Sequence, residues 1–92
     1  MAEALVVIPT FSERENIGVL IDRMFALPLP VDVLVVDDNS PDGTAEVVRQ
    51  KQRQYGAGRV ALLVRTEGKA GRGSACLRGF AIARERGYRS VI

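Results

Sequence analysis

Four short apolar segments recur along the chain at nearly even spacing. They are Ala4–Ile8, Val33–Val36, Val60–Val64 and Tyr88–Ile92, and successive segments begin between 27 and 29 positions apart. The first three are almost continuous runs of Val, Leu and Ile without polar alternation, a pattern typical of parallel strands that are covered on both faces. The pattern predicts four strands of a parallel sheet.

Amphipathic or capped segments between these strands predict three helices. The predicted helices are Glu15–Ala26, Thr44–Tyr55 and Ser74–Arg86. Asp42 or Thr44 is expected to cap the second helix, and Gly56 and Gly87 end the second and third. The resulting order, βαβαβαβ, predicts an α/β fold with a Rossmann-like open parallel sheet and helices on both of its faces.

Composition narrows the function classes. The chain has 92 residues, of which 47% are hydrophobic and 26% charged, as expected for one soluble globular domain. It contains no histidine and a single cysteine, Cys76, so histidine-dependent nucleophilic catalysis and an internal disulfide are excluded. Its apolar runs are far shorter than the roughly 18 residues that span a bilayer.

Charge is divided unevenly along the chain. Residues 1–48 carry a net charge of −7, and residues 49–92 carry +9. This asymmetry suggests a site in which the acidic half binds a metal or a sugar and the basic half binds a phosphate or an anionic surface. The alternative is that the arginines form ordinary solvated helix faces.

Three polar loops follow the first three strands. They are Pro9–Arg14, Asp37–Gly43 and Arg65–Gly73. In open parallel sheets, ligands bind beyond the carboxyl ends of the strands, so we expect the functional residues in these loops.

The adjacent carboxylates Asp37 and Asp38 end the second strand. Because successive strand residues point in opposite directions, one carboxylate can hold the fold while the other faces the crevice. We expect Asp37 to hold the neighbouring loops and Asp38 to contact a nucleotide base N–H or a ribose hydroxyl. Asp42, Gly43 and Thr44 are expected to supply turn and cap contacts.

The other two loops offer an aromatic ring and a basic, glycine-rich segment. Phe11 is either a stacking surface for a base or a core residue. Lys69 and Arg72 accompany backbone N–H groups that can hold a diphosphate at a helix start. The segment is not a P-loop, because Ala70 follows Lys69, and the pattern of a dinucleotide-binding loop is broken at Cys76.

Taken together, three segments resemble the N-terminal part of family 2 glycosyltransferases with the GT-A fold, in particular the dolichyl- or polyprenyl-phosphate mannose synthases. The segments are Val7–Ile17, Val36–Thr44 and Gly68–Ala75, and they occur in the expected order. The resemblance implies transfer of mannose from GDP-mannose to a polyprenyl phosphate. By position, it also implies a donor-nucleotide pocket lined by Pro9, Phe11, Glu13, Val36 and Asp38, with Lys69 near the phosphates.

The sequence departs from the family pattern in two of these segments. Family members usually have Tyr-Asn where this chain has Phe11 and Ser12, so a ring is kept and a hydroxyl is lost. Arg72 replaces an apolar residue, and it either adds charge near the diphosphate or faces water.

The resemblance also implies a divalent metal. In the family, an Asp-x-Asp motif after the fourth strand holds Mg²⁺ or Mn²⁺, whereas this sequence has no Asp after Asp42 and stops at Ile92. We therefore expect residues 1–92 to be the nucleotide-sugar-binding N-terminal part of a transferase domain, truncated within the fourth strand. By itself this part should have no catalytic residues, no metal ligands and no turnover.

Location and partners follow from the same resemblance. We expect a cytoplasmic protein that is peripheral at the cytoplasmic membrane face and has no nucleic-acid partner. The last strand should form an exposed sheet edge through which the chain can self-associate.

Three alternatives remain at this point. One is a family 2 transferase that uses a UDP-sugar, and another is a non-catalytic nucleotide-binding module. A signalling receiver domain also has paired aspartates after a parallel strand, but its phospho-accepting Asp would have to follow a later strand, and none is present.

Overall fold

A parallel sheet with helices on both faces forms the fold, as the sequence predicts. The computed structural model describes residues 1–66 and 71–92. The elements are β1 (Ala4–Thr10), α1 (Arg14–Ala26), β2 (Val31–Asp37), α2 (Thr44–Tyr55), β3 (Val60–Val64), α3 (Gly71–Arg86) and β4 (Ser90–Val91). The strand order is β3-β2-β1-β4, and every pairing is parallel. The predicted fold class is therefore confirmed.

The first strand extends further than predicted, to Thr10, and includes Pro9. The N–H of Val7 donates to the carbonyl of Ile92 over 2.9 Å, so it faces the β4 side of β1. Alternate residues point the same way, and the missing N–H of Pro9 therefore also falls on that side. The proline costs β1 no hydrogen bond to β2, and this explains why a strand can contain it.

Other boundaries also differ from the prediction: β2 is longer at both ends than Val33–Val36, and α1 begins at Arg14 rather than at Glu15. The third helix begins at Gly71 rather than at Ser74, so three residues that were expected in a loop are helical. Glycine has low helix propensity, and packing of the following turns against the sheet outweighs that preference. The fourth strand covers Ser90–Val91 and not Tyr88, whose backbone N–H instead donates to the carbonyl of Ala83 in α3 over 3.1 Å.

The core lies on both faces of the sheet. On one face, α1 and α2 pack against β1–β3 through Val6, Val33, Val35, Ile17, Ile21 and Val48. On the other, α3 packs through Leu5, Leu34, Val36, Ala75, Ile82 and Ala83. Adjacent residues of β2 belong to opposite clusters, since strand side chains alternate. Burial on both faces explains the continuous apolar runs of the sequence.

Gly79 sets how closely α3 approaches β1. A Cβ atom at this position would lie 2.3 Å from Cγ1 of Val7 and 3.0 Å from its Cγ2. Valine is branched at Cβ and has few alternative rotamers, so it cannot move aside easily. The helix therefore packs on the sheet at this distance only because residue 79 has no side chain.

Substitution of Gly79 by alanine should destabilise the chain. Alanine is intrinsically better than glycine in a helix by roughly 0.5–1 kcal/mol, but overpacking typically costs about 1–3 kcal/mol, and we expect the steric term to dominate. Gly73→Ala is the matched control in the same helix, since its Cβ would meet no atom within 4 Å. Urea denaturation should show a lower free energy of unfolding for Gly79→Ala alone; equal values for both variants would contradict the packing argument.

A buried polar contact joins residues near both ends of the chain to the amino end of β2. Asp32 is buried, and its Oδ2 accepts hydrogen bonds from the hydroxyl of Tyr88 over 2.7 Å and the backbone N–H of Ala2 over 3.1 Å. Burial, and next the hydrogen bond to Asp32, raise the pKa of Tyr88 to about 12. The contact lies at the end of the sheet opposite the loops that follow β1 and β2.

The Tyr88 contact should make stability fall at alkaline pH. An unfolded tyrosine titrates near pH 10. The raised folded-state pKa means that the contribution of Tyr88 is complete below about pH 10 and is lost as the pH rises to about 12. The difference in free energy of unfolding between the wild-type chain and Tyr88→Phe should therefore shrink across this interval. A difference that stays constant from pH 8 to pH 12 would refute this assignment.

Candidate functional site

The loops after β1 and β2 begin side by side. Thr10 is the register partner of Asp37, and the N–H of Asp38 donates to the carbonyl of Thr10 over 3.0 Å. Since both strands are parallel, their carboxyl ends meet at one edge of the sheet. Residues 11–13 and 38–44 therefore lie together, as predicted from the strand order.

Asp37 joins these two loops through buried hydrogen bonds at the end of the sheet. Its carboxylate is fully buried, and its Oδ1 accepts hydrogen bonds from the hydroxyls of Thr10 and Ser40, each over 2.6 Å. Its Oδ2 accepts from the backbone N–H of Ser40 over 2.9 Å. A buried carboxylate needs such donors to offset its loss of hydration. The prediction that Asp37 holds the neighbouring loops is confirmed.

The same network places the Phe11 ring at the surface. The N–H of Ser12 donates to the hydroxyl oxygen of Ser40 over 2.8 Å, and Ser12 takes a left-handed backbone conformation with φ of 56°. Such a conformation is uncommon for a serine and persists where the surroundings fix it. Phe11 is 54% exposed. The alternative that it fills the core is therefore wrong.

Asp42 and Thr44 form a second bridge between the loops. Thr44 donates its backbone N–H (3.1 Å) and its hydroxyl to Oδ1 of Asp42, and its hydroxyl oxygen accepts from the N–H of Glu13 over 3.0 Å. The hydroxyl of Thr44 is the main reason that the pKa of Asp42 lies below its usual value. These contacts confirm the predicted turn role of Asp42 and Thr44. The prediction that Asp42 or Thr44 is the N-cap is wrong, because Gly43, in a left-handed conformation (φ 91°), occupies the cap position of α2.

Asp38 faces the other way and pairs with Arg65. Nε of Arg65 donates to Oδ1 of Asp38 over 2.7 Å, and Nη2 donates to Oδ2 over 3.0 Å. Nη1 donates to the hydroxyl oxygen of Ser74 in α3 over 2.9 Å. The two-point geometry is the one that arginine forms with carboxylates most favourably. Arg65 thus links the ends of β2 and β3 to α3.

Sequence reasoning missed this role of Arg65, because the contact depends on the register between β2 and β3. Val64, at the end of β3, is the register partner of Asp37, so Arg65 and Asp38 are the next residues on neighbouring strands. The Asp38 side chain remains 24% exposed. Each carboxylate oxygen can accept two hydrogen bonds, so Asp38 keeps acceptor capacity for a ligand.

The remaining predicted site residues differ in their surroundings. Pro9 and Glu13 line a pocket of about 180 Å³ between β1 and α1, together with Ile8, Thr10, Asn16, Ile17 and Leu20. The side chain of Val36 is fully buried under α3, so only its backbone can take part in a site at the sheet end. Lys69 lies outside the described residues.

The described acidic residues do not form a metal centre. Within residues 1–66 and 71–92, no three carboxylate or cysteine side chains come together in a group that could hold a metal ion. Asp37 and Asp38 are adjacent, but one is committed to Thr10 and Ser40 and the other to Arg65. The paired carboxylates therefore do not fit a shared divalent cation, and we derive no metal-dependent step from them.

Comparison with known proteins assigns the family. Residues 5–91 match the family described as glycosyl transferase family 2. The chain therefore belongs to this family.

Two curated relatives match the chain over a segment of each protein. Identity is 41% over 88 residues to the polyprenol monophosphomannose synthase of Mycolicibacterium smegmatis, covering 96% of this chain and 32% of that protein. Identity is 39% over 84 residues to the undecaprenyl-phosphate mannosyltransferase of Micrococcus luteus, covering 91% and 33%. The chain thus spans about a third of the length of these relatives.

A solved structure shares the fold. The mannosyltransferase PcManGT from Pyrobaculum calidifontis, in complex with GDP-Man and Mn²⁺, matches with a TM-score of 0.80 and 27% identity. The match covers 89% of this chain and 24% of that one. It supports the predicted GT-A architecture for the parallel sheet and its helices.

Removing the hydroxyl of Thr10 should destabilise the loop junction. Thr10→Val keeps the shape of the side chain but takes one donor from the buried Asp37 carboxylate. A hydrogen bond to a charged group contributes roughly 1.5–3 kcal/mol, and we expect a loss of that size in the free energy of unfolding measured with urea. Thr66→Val, at an exposed threonine, is the matched control and should change stability little. Similar effects of both substitutions would argue against a special role for the Asp37 network.

Proposed function

We propose that the protein containing this chain transfers mannose from GDP-mannose to a polyprenyl phosphate, and that this chain binds the donor nucleotide. The observation that carries the proposal is the junction of the β1 and β2 loops, where Phe11, Glu13 and Asp38 stand at one sheet end. The names of the two curated relatives and the GDP-Man bound to the solved relative support the choice of donor and acceptor.

In this proposal, Phe11 stacks on the base of a nucleoside and Asp38 accepts a hydrogen bond from the base or the ribose. The exposed ring of Phe11 offers a flat apolar face, and stacking of a nucleic-acid base on an aromatic ring contributes roughly 1–3 kcal/mol. The free acceptor capacity of Asp38 suits a base N–H or a ribose hydroxyl. In this proposal, Pro9 and Glu13 border the nucleoside and Val36 contributes its backbone.

Arg65 makes Asp38 compatible with an anionic ligand. A carboxylate alone would repel the diphosphate of a nucleotide sugar. The guanidinium at 2.7 Å offsets that charge and holds both carboxylate oxygens in place. Lys69 is proposed near the phosphates on the sequence pattern.

The proposal extends to the metal, the acceptor and the location. We propose that the whole protein uses Mg²⁺ or Mn²⁺, held by residues other than those described, to stabilise the charge of the departing diphosphate. Among the described helices, none is both long and apolar enough to cross a bilayer. We propose peripheral contact with the cytoplasmic membrane face, and self-association through the edge strand β4.

Loss of the Asp38 charge should weaken nucleotide binding. Calorimetric titration of the chain with GDP should show an affinity about tenfold or more lower for Asp38→Asn, because a hydrogen bond to a charged group contributes roughly 1.5–3 kcal/mol. Glu46→Gln removes a carboxylate from the exposed face of α2 and is the matched control, with unchanged affinity expected.

The same titration separates the alternatives. Binding of UDP in preference to GDP would mean that the donor is a UDP-sugar and not GDP-mannose. No detectable binding of either nucleotide to the folded wild-type chain would contradict the proposed function.

A further inference from the structure

The outer face of α3 combines exposed apolar and cationic side chains. Leu77 is 70% exposed and Phe80 is 43% exposed. With Ala81 and Arg84 they follow the i, i+3, i+4, i+7 spacing that places residues on one helix face. We call the set Leu77, Arg78, Phe80, Ala81 and Arg84 the outer α3 surface.

This surface cannot turn toward the core. The opposite side of α3 is committed to the sheet through Ala75, Ile82 and Ala83, which are all buried. Gly79 lies so close to Val7 that any side chain there would collide with it. The helix is therefore fixed in rotation, and Leu77 and Phe80 stay on the outside.

The charges around the apolar pair are mainly positive. Arg78 and Arg84 are exposed, and neither lies within 4.0 Å of a described carboxylate, whereas Arg49 and Arg53 of α2 both lie 3.6 Å from Glu46. Glu85 is the only acidic residue of α3. Positive charge on α3 is therefore less neutralised by neighbouring carboxylates than the positive charge of α2.

We propose that the outer α3 surface contacts an anionic lipid bilayer. Apolar side chains flanked by arginines are what an interfacial helix presents to a membrane, because the apolar groups enter the headgroup boundary while the guanidinium groups meet lipid phosphates. The inference rests on the proposed function in one respect, since a polyprenyl phosphate acceptor reaches the enzyme from a membrane. Ser74, in the first part of α3, bonds Arg65 of the candidate site, so a bilayer on this helix lies next to the site.

The test is co-sedimentation of the full 92-residue chain with vesicles. We expect binding to phosphatidylcholine vesicles that contain 30% phosphatidylglycerol in low salt, and much weaker binding to pure phosphatidylcholine. Arg78→Gln with Arg84→Gln should reduce the partition coefficient about fivefold for each charge removed. Leu77→Ser with Phe80→Ser should reduce it about tenfold or more, because the apolar contribution is lost.

Matched controls make this pattern specific to α3. Arg49→Gln with Arg53→Gln removes the same charge from α2, and Leu27→Ser with Leu29→Ser removes exposed apolar side chains elsewhere; both pairs should leave vesicle binding nearly unchanged. Circular dichroism and GDP titration of every variant verify the fold and the nucleotide site.

Four outcomes would overturn the inference. Wild-type chain that does not bind anionic vesicles, or that binds neutral vesicles equally well, has no such lipid surface. An equal loss in the α2 variant would mean general charge attraction without a specific face. A dimer that dissociates in the Leu77→Ser, Phe80→Ser variant would assign the surface to a second copy of the chain. GDP binding is independent of these results, so its absence would contradict the proposed function and leave the lipid surface standing.

Discussion

The loop junction depends on the burial of one carboxylate. Asp37 is fully buried at the end of β2, where its side-chain oxygens need hydrogen-bond donors supplied by the protein. Those donors come from Thr10 on the neighbouring strand and from Ser40 in its own loop. These hydrogen bonds join the carboxyl ends of β1 and β2 and hold the loop that follows β2 against them.

The candidate site is a consequence of strand geometry acting on two adjacent aspartates. Because side chains alternate, the residue after Asp37 must face the opposite side of the sheet, toward α3. There Asp38 meets Arg65, and the pair leaves a fixed, charge-compensated carboxylate at the surface. One aspartate thus builds the scaffold and the other remains available to a ligand, and a divalent cation has no shared position between them.

Much of this arrangement follows from the sequence. The apolar runs give four parallel strands, and the strand order brings the loops of Phe11 and Asp38 to the same sheet end. The opposite directions of Asp37 and Asp38 also follow from the pattern, because alternation is a property of the backbone. The identity of the donor was predicted from the family resemblance, because the spacing of apolar residues carries no information about the ligand.

Other features depend on tertiary contacts that a linear pattern does not encode. The extension of β1 through Pro9 depends on which edge its missing N–H faces, and the early start of α3 depends on packing that overrides glycine propensity. The Arg65–Asp38 pair requires the β2–β3 register, and the fit of Gly79 against Val7 requires the helix position on the sheet. Val36 is a residue that the family resemblance assigned to the site, but its side chain lies in the core.

The most direct test of the account is a map of nucleotide contacts on the chain itself. In ¹H–¹⁵N NMR spectra of the labelled chain, titration with GDP should shift the amide signals of Phe11, Glu13, Asp38 and Arg65, which surround the junction of the β1 and β2 loops. The signals of Asp32, Arg59 and Tyr88, at the opposite sheet end, should stay in place. Shifts confined to that opposite end, with none at Phe11 or Asp38, would contradict the assignment of the nucleotide site.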